Sequence, residues 1–108
     1  MRIFKLAPLT AAALVLATLP GYAADAEHGF DLAKRWCGSC HLVSADQQRA
    51  SADAPPFATI AQSPNFDARA LAYFLLDPHP KMPDLPLSRS AADDIAAYIA
   101  LLKKQHRH

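Results

Sequence analysis

Cys37-Gly38-Ser39-Cys40-His41 is a CxxCH sequence, the form to which haem is covalently attached, and no other short stretch of this 108-residue chain constrains its chemistry so tightly. Two thiols three residues apart lie on one side of a helical turn, spaced to add to the two vinyl groups of haem, and His41 falls on that same side. A ring bound there is tethered at its edge and ligated at its centre. Imidazole suits iron as a proximal ligand, and the adjoining thioethers keep it beside the metal.

CxxC alone also occurs in disulfide oxidoreductases, structural disulfides and zinc sites. Four-coordinate zinc needs a second pair of ligands, whereas Cys37 and Cys40 are the only cysteines and His79, His106 and His108 form no such pair. A thioredoxin-like dithiol needs strands around it, and the flanks here read as helix, loop and helix. A thiol-disulfide redox protein is the alternative that the two thiols leave open.

The N-terminus carries an export signal. Arg2 and Lys5 supply a positive start, Leu6 to Leu19 is an apolar run rich in Ala and Leu, and Gly21-Tyr22-Ala23 offers the small residues a signal peptidase reads. Cleavage after Ala23 is predicted, leaving 1–23 as leader and 24–108 as a single domain. The apolar run is short and broken by Pro8, which speaks against a retained membrane anchor, and no cysteine follows it closely enough to take a lipid. Export places the thiols in an oxidising compartment, the periplasm, where bacteria also attach haem to exported apocytochromes.

The processed chain, about 85 residues, is near the size at which side chains alone give a marginal core, so a buried haem would supply the missing apolar mass. The full sequence has 11 Lys+Arg and 10 Asp+Glu; without Arg2 and Lys5 the balance is 9 against 10. That near-neutrality argues against nucleic acid, which would call for a concentrated basic face. No repeat, second domain or low-complexity stretch is visible.

Three helices separated by proline-marked loops are predicted. Residues 25–36 form the first, with Phe30, Ala33 and Cys37 on one face. Loop chemistry follows from Ser44 to the anchor Pro55-Pro56-Phe57. Asn65 or Asp67 caps a second helix running through Leu71, Phe74 and Leu75 until Pro78 and Pro80 stop it. The third starts at Ser88 or Ser90 and runs to about Lys104, with Ile95, Tyr98, Ile99 and Leu102 as its apolar stripe.

An iron held by one histidine has a sixth position to fill, and its occupant decides between electron transfer and chemistry on a bound molecule. Once Met1 leaves with the signal peptide, Met82 is the only methionine, set in Pro80-Lys81-Met82-Pro83 where two prolines stiffen the loop. A stiff loop presents one thioether to iron. The competing reading of Met82 is as a filler of core gaps, the usual job of methionine, and the competing ligand is His79, flanked by prolines on both sides.

Together these residues resemble the class I cytochromes c of the small bacterial monohaem type, over essentially the whole processed chain. The likeness rests on Gly29 eight residues before Cys37, the Cys37–His41 motif, Pro55-Pro56-Phe57, Lys81-Met82-Pro83 and the terminal helix around Ile95-Ala96-Ala97-Tyr98-Ile99. It implies a mostly α cytochrome c fold, three main helices with loops wrapped around one covalent haem c. The first and last helices would cross at right angles, with Gly29 and Tyr98 as the close-packed pair. Cys37 and Cys40 would hold the ring, His41 and Met82 would be the axial iron ligands, and the Pro55 carbonyl would accept a hydrogen bond from His41, fixing its tautomer. The spacing from His41 to Met82 is shorter than in longer relatives and leaves less polypeptide to cover a propionate edge, for which Arg49 is the candidate partner.

The resemblance implies a one-electron carrier, not an enzyme, serving redox partner proteins either freely or as a subunit of a larger redox complex. A haem-based gas-binding or sensory protein in which Met82 is displaced is the alternative. Nothing in the chain resembles a nucleophile with its base, a phosphate loop or paired carboxylates. Trp36 reads as packing against the haem edge or the last helix. The basic tail Lys103, Lys104, His106, Arg107 and His108 reads as a solvated terminus, and Lys34, Arg35 and Lys81 as candidates to ring the haem edge and steer an acidic partner.

Overall fold

Asp25 opens the first helix: its carboxylate accepts a hydrogen bond from the His28 amide at 3.0 Å, satisfying one of the donors a helix start leaves bare. In the computed structural model, which describes residues 23–77 and 82–105, this helix is α1, Ala26–Trp36. Three more follow: α2, Phe57–Ala61; α3, Ala68–Leu76; and α4, Arg89–Gln105. No strand occurs among the described residues. The readings of the leader up to Tyr22, of His79 and Lys81, and of the tail beyond Gln105 lie outside them.

α2 is one helix more than the three predicted. The prolines that mark a loop also start it. Pro56 sits just before the first helical residue, where its fixed φ of −59° and missing N–H cost nothing, and its carbonyl accepts from Thr59 and Ile60. Of the two candidate caps for α3, Asp67 serves, accepting from Arg69 N at 2.9 Å and Ala70 N at 3.3 Å. For α4 it is Ser88, whose hydroxyl accepts from Ala91 N. α3 buries Ala72 and Leu75, while Phe74 stands 45% exposed rather than sharing their face.

α4 is the hub on which the other three helices pack. It buries Ala92, Ile95, Ala96, Tyr98 and Ile99, so its expected stripe is joined by two alanines that let neighbours approach closely. Ile95 and Ile99, with Val43 from the loop after the motif, are the largest fully buried side chains, each worth about 1.5–3 kcal/mol relative to exposure.

α1 meets α4 at Gly29. A β-carbon there would lie 1.9 Å from the Asp94 carbonyl oxygen and 2.9 Å from Ile95 N, so only glycine lets the two backbones touch. The expected close approach at Gly29 is made first by the main chain of α4. The ring of Tyr98 stacks on Phe30, centroids 4.9 Å apart.

A polar clamp closes the same crossing. Asp94 accepts from the Asp25 amide at 2.7 Å through one oxygen and faces His28 Nδ1 at 2.7 Å through the other. That hydrogen bond, reinforced by the charges of Asp94, Asp25 and Asp31, raises the His28 pKa above its ordinary value. A folded-state pKa above the unfolded one stabilises the fold fully below about 6.5 and loses that contribution as pH rises through the folded value. The advantage of the parent over a His28→Ala variant in thermal melts is therefore expected to be larger at about pH 5.5 than at about pH 8.5, either side of the imidazole range. An advantage that grows toward alkaline pH would refute the clamp.

Candidate haem-attachment site

The end of α1 runs directly into the motif. Cys37 caps the helix through its amide to Ala33 O, and its own carbonyl then accepts from both Cys40 N (3.1 Å) and His41 N (2.9 Å). Residues 37–41 thus form one further tight turn, not a continued helix. Cys37 lies in the core at 4% exposure, and Cys40 is exposed.

His41 is held from two sides. Its Nδ1 donates to the Pro55 carbonyl at 2.7 Å, since a carbonyl can only accept, and its ring lies 5.2 Å from that of Phe57. With the proton on Nδ1, the Nε2 lone pair is free for a metal. The prolines serve both contacts: Pro55 offers its carbonyl, and the helix start at Pro56 places Phe57 in the core, where its amide also donates to Leu42 O.

A cleft of about 300 Å³ runs along this turn, its walls including Trp36, Cys37, Cys40, His41, Pro55 and Met82. Both thiols, the oriented imidazole and the thioether therefore share one cavity with apolar walls, and this donor set fits a haem. Met82 is half-buried and packed against the core. A wider groove of about 390 Å³ lies along Leu42–Ala45, Tyr98 and Leu102, and none of its lining residues is a thiol, thioether or imidazole.

Burial, and secondarily the neighbouring Cys40, pushes the Cys37 thiol up to about 11. A catalytic dithiol depends on a lowered thiol pKa and an accessible nucleophile, so a protonated, buried first cysteine speaks against the thiol-disulfide reading. The cations near the motif divide. Lys34 sits 4.4 Å over the Phe30 ring and 3.6 Å from Asp31, on the α1 surface, whereas Arg35 lies 5.2 Å over Trp36, a wall of the cleft. Arg49 contributes only its carbonyl, as an acceptor from Gln47.

Sequence reasoning missed two residues that hold the site. The Tyr98 hydroxyl donates to Val43 O, tying α4 to the chain two residues past His41; burial raises the pKa of this phenol, so it stays a donor. Gln47 donates to Gly38 O and His41 O and accepts from Val43 N. A glutamine in a polar loop gives no signal of this. Tyr98 was visible as part of an apolar stripe and as the expected neighbour of Gly29, and neither reading points to its hydroxyl.

Among known proteins, the cytochrome c-552 of Bradyrhizobium diazoefficiens is similar to this chain: 64% identical over 81 residues, which span 75% of this chain and 78% of that protein. No family model matches the chain, and no solved structure matches it.

Proposed function

From the premise that this chain belongs to the small bacterial class I cytochromes c, helical electron-transfer proteins with covalently bound haem c, we propose that it is a periplasmic one-electron carrier with His41 and Met82 as axial ligands. The supporting observation is that one cleft collects Cys37, Cys40, His41 and Met82, with Nδ1 of His41 already committed to Pro55 O. When bound, haem supplies reversible one-electron iron chemistry. The rest is the work of the chain. Cys37 and Cys40 hold the ring edge through thioethers, and His41 offers Nε2. Pro55 fixes the ring's tautomer. Met82 offers a soft sulfur that favours the ferrous state and raises the potential relative to a second histidine.

Export follows from the leader reading, with 24–108 as the working domain. Its partners are redox proteins. Their contact with the exposed rim near Cys40 and Pro83 needs only a small, weakly held interface, and Arg35 on the Trp36 wall is the cation placed to steer an acidic one.

The test is mass spectrometry and stopped-flow kinetics on the exported protein. One haem added to a chain starting at or near Ala24, with fast reversible electron exchange that carbon monoxide leaves unaltered, is the expected result. A species lacking haem mass, or a resting ferrous form that binds the gas tightly, would overturn the reading.

A further inference from the structure

Gln47 is half-buried, and every hydrogen bond it makes is to main chain. Its Nε2 lies 2.8 Å from Gly38 O, 2.7 Å from His41 O and 2.8 Å from Arg49 O, while Oε1 accepts from Val43 N at 3.0 Å. The orientation of the amide is unambiguous, because three carbonyls can only accept and a backbone N–H can only donate. Two N–H bonds serve three acceptors, so one is shared.

Four other carbonyls of this stretch take partners from backbone or from one phenol: Cys37 O from Cys40 N and His41 N, Cys40 O from Ser51 N, Leu42 O from Phe57 N, and Val43 O from Tyr98. Gln47 is the side chain that takes two carbonyls of the motif itself, one before Cys40 and one at His41. It braces the turn from inside the loop that follows.

A ring hydrogen-bonded only through Nδ1 can pivot about that bond as its own backbone shifts. His41 is pinned at both ends, at Nδ1 by Pro55 O and at its carbonyl by Gln47. We propose that Gln47 is a positioning residue for the axial imidazole: by bracing Gly38 O and His41 O it sets the plane in which the His41 ring meets the iron. This rests on His41 being the iron ligand.

The experiment uses the holoprotein. Gln47→Leu removes every side-chain bond at similar size, and Gln47→Glu keeps the acceptor for Val43 N but turns a carboxylate toward three carbonyls. In the oxidised parent, the spread of the hyperfine-shifted haem methyl signals reports the imidazole plane. That spread is expected to change in both variants and the midpoint potential to shift, while Asp94→Asn, which loosens the α1–α4 clamp, lowers stability and leaves both readouts alone. Gln47 variants that lose stability but keep the parent's methyl pattern and potential would overturn the proposal.

A second measurement needs no variant. In the parent, the side-chain amide protons of Gln47 should exchange with solvent about tenfold or more slowly than those of the exposed neighbour Gln48, as protected donors do. Equal rates would also overturn it. A haem signal lacking any His41 resonance would instead defeat the assignment of His41 as ligand, which is a separate failure.

Discussion

Gly29→Ala is expected to eliminate most of the folded, haem-bearing protein. The added methyl would sit 1.9 Å from Asp94 O and 2.4 Å from its carbonyl carbon. Neither atom belongs to a flexible side chain, so relief requires α1 and α4 to part by about 1.5 Å to reach ordinary contact. Separation on that scale loosens the Phe30–Tyr98 stack, the Asp94 bridge to Asp25 and His28, and the packing of Ala33 together. Overpacking of a core by side chains costs about 1–3 kcal/mol, and a backbone-to-backbone clash lies at or above the top of that range. For a domain of this size a loss of about 3 kcal/mol or more is a large share of total stability. The check is the yield of exported holoprotein and its urea midpoint. Gly38→Ala is the comparison, since its nearest contact, Lys34 O at 2.8 Å, is a single looser approach. Parent-like yield and midpoint for Gly29→Ala would mean the crossing is not as tight as described.

What was legible in the sequence was local. CxxCH prescribes its own geometry within five residues, and the turn of Cys40 N and His41 N onto Cys37 O is what that spacing demands. The stripe of α4 and the Asp67 and Ser88 caps were readable for the same reason, since each involves partners within one or two turns. Pro55 came from likeness to a family, and its carbonyl does lie on His41 Nδ1.

Long-range partners were not legible. His28 meets Asp94 across 66 residues and Tyr98 meets Val43 across 55, and no periodicity encodes either pair. Gln47 bonds nearby, but only to main-chain carbonyls and one main-chain amide, which nearly every residue possesses, so no residue pattern marks its partners. α2 was concealed because its prolines read as punctuation when they were also a helix start. Gly29 shows what likeness adds: a glycine was correctly placed at the crossing, where its closest neighbour is the backbone of Asp94, while the ring that stacks on Tyr98 is that of the adjacent Phe30.

Met82→Ala carries the second large effect, and it falls on the iron rather than on the fold. Cys37, Cys40 and His41 are untouched, so covalent attachment is expected to persist at close to parent yield. The half-buried thioether is lost from the cleft wall, and with it, on the proposed ligation, the soft sulfur that would favour reduced iron. Axial ligands set haem potentials over a span of about 0.8 V, so a fall on the order of 0.1 V is expected, with loss of the sulfur-to-iron charge-transfer absorption and the appearance of high-spin iron. The open position should also admit carbon monoxide to the ferrous protein, where a parent ligated by Met82 would exclude it. Spectroelectrochemistry of the purified variant decides the matter. If its oxidised spectrum and potential match the parent, Met82 is core filler and the sixth ligand lies elsewhere, with His79 the first candidate because it is three residues away in the same proline-flanked loop. A Met82→Ala, His79→Ala double variant then separates the two, since only a histidine ligand would make the second substitution the one that moves the potential.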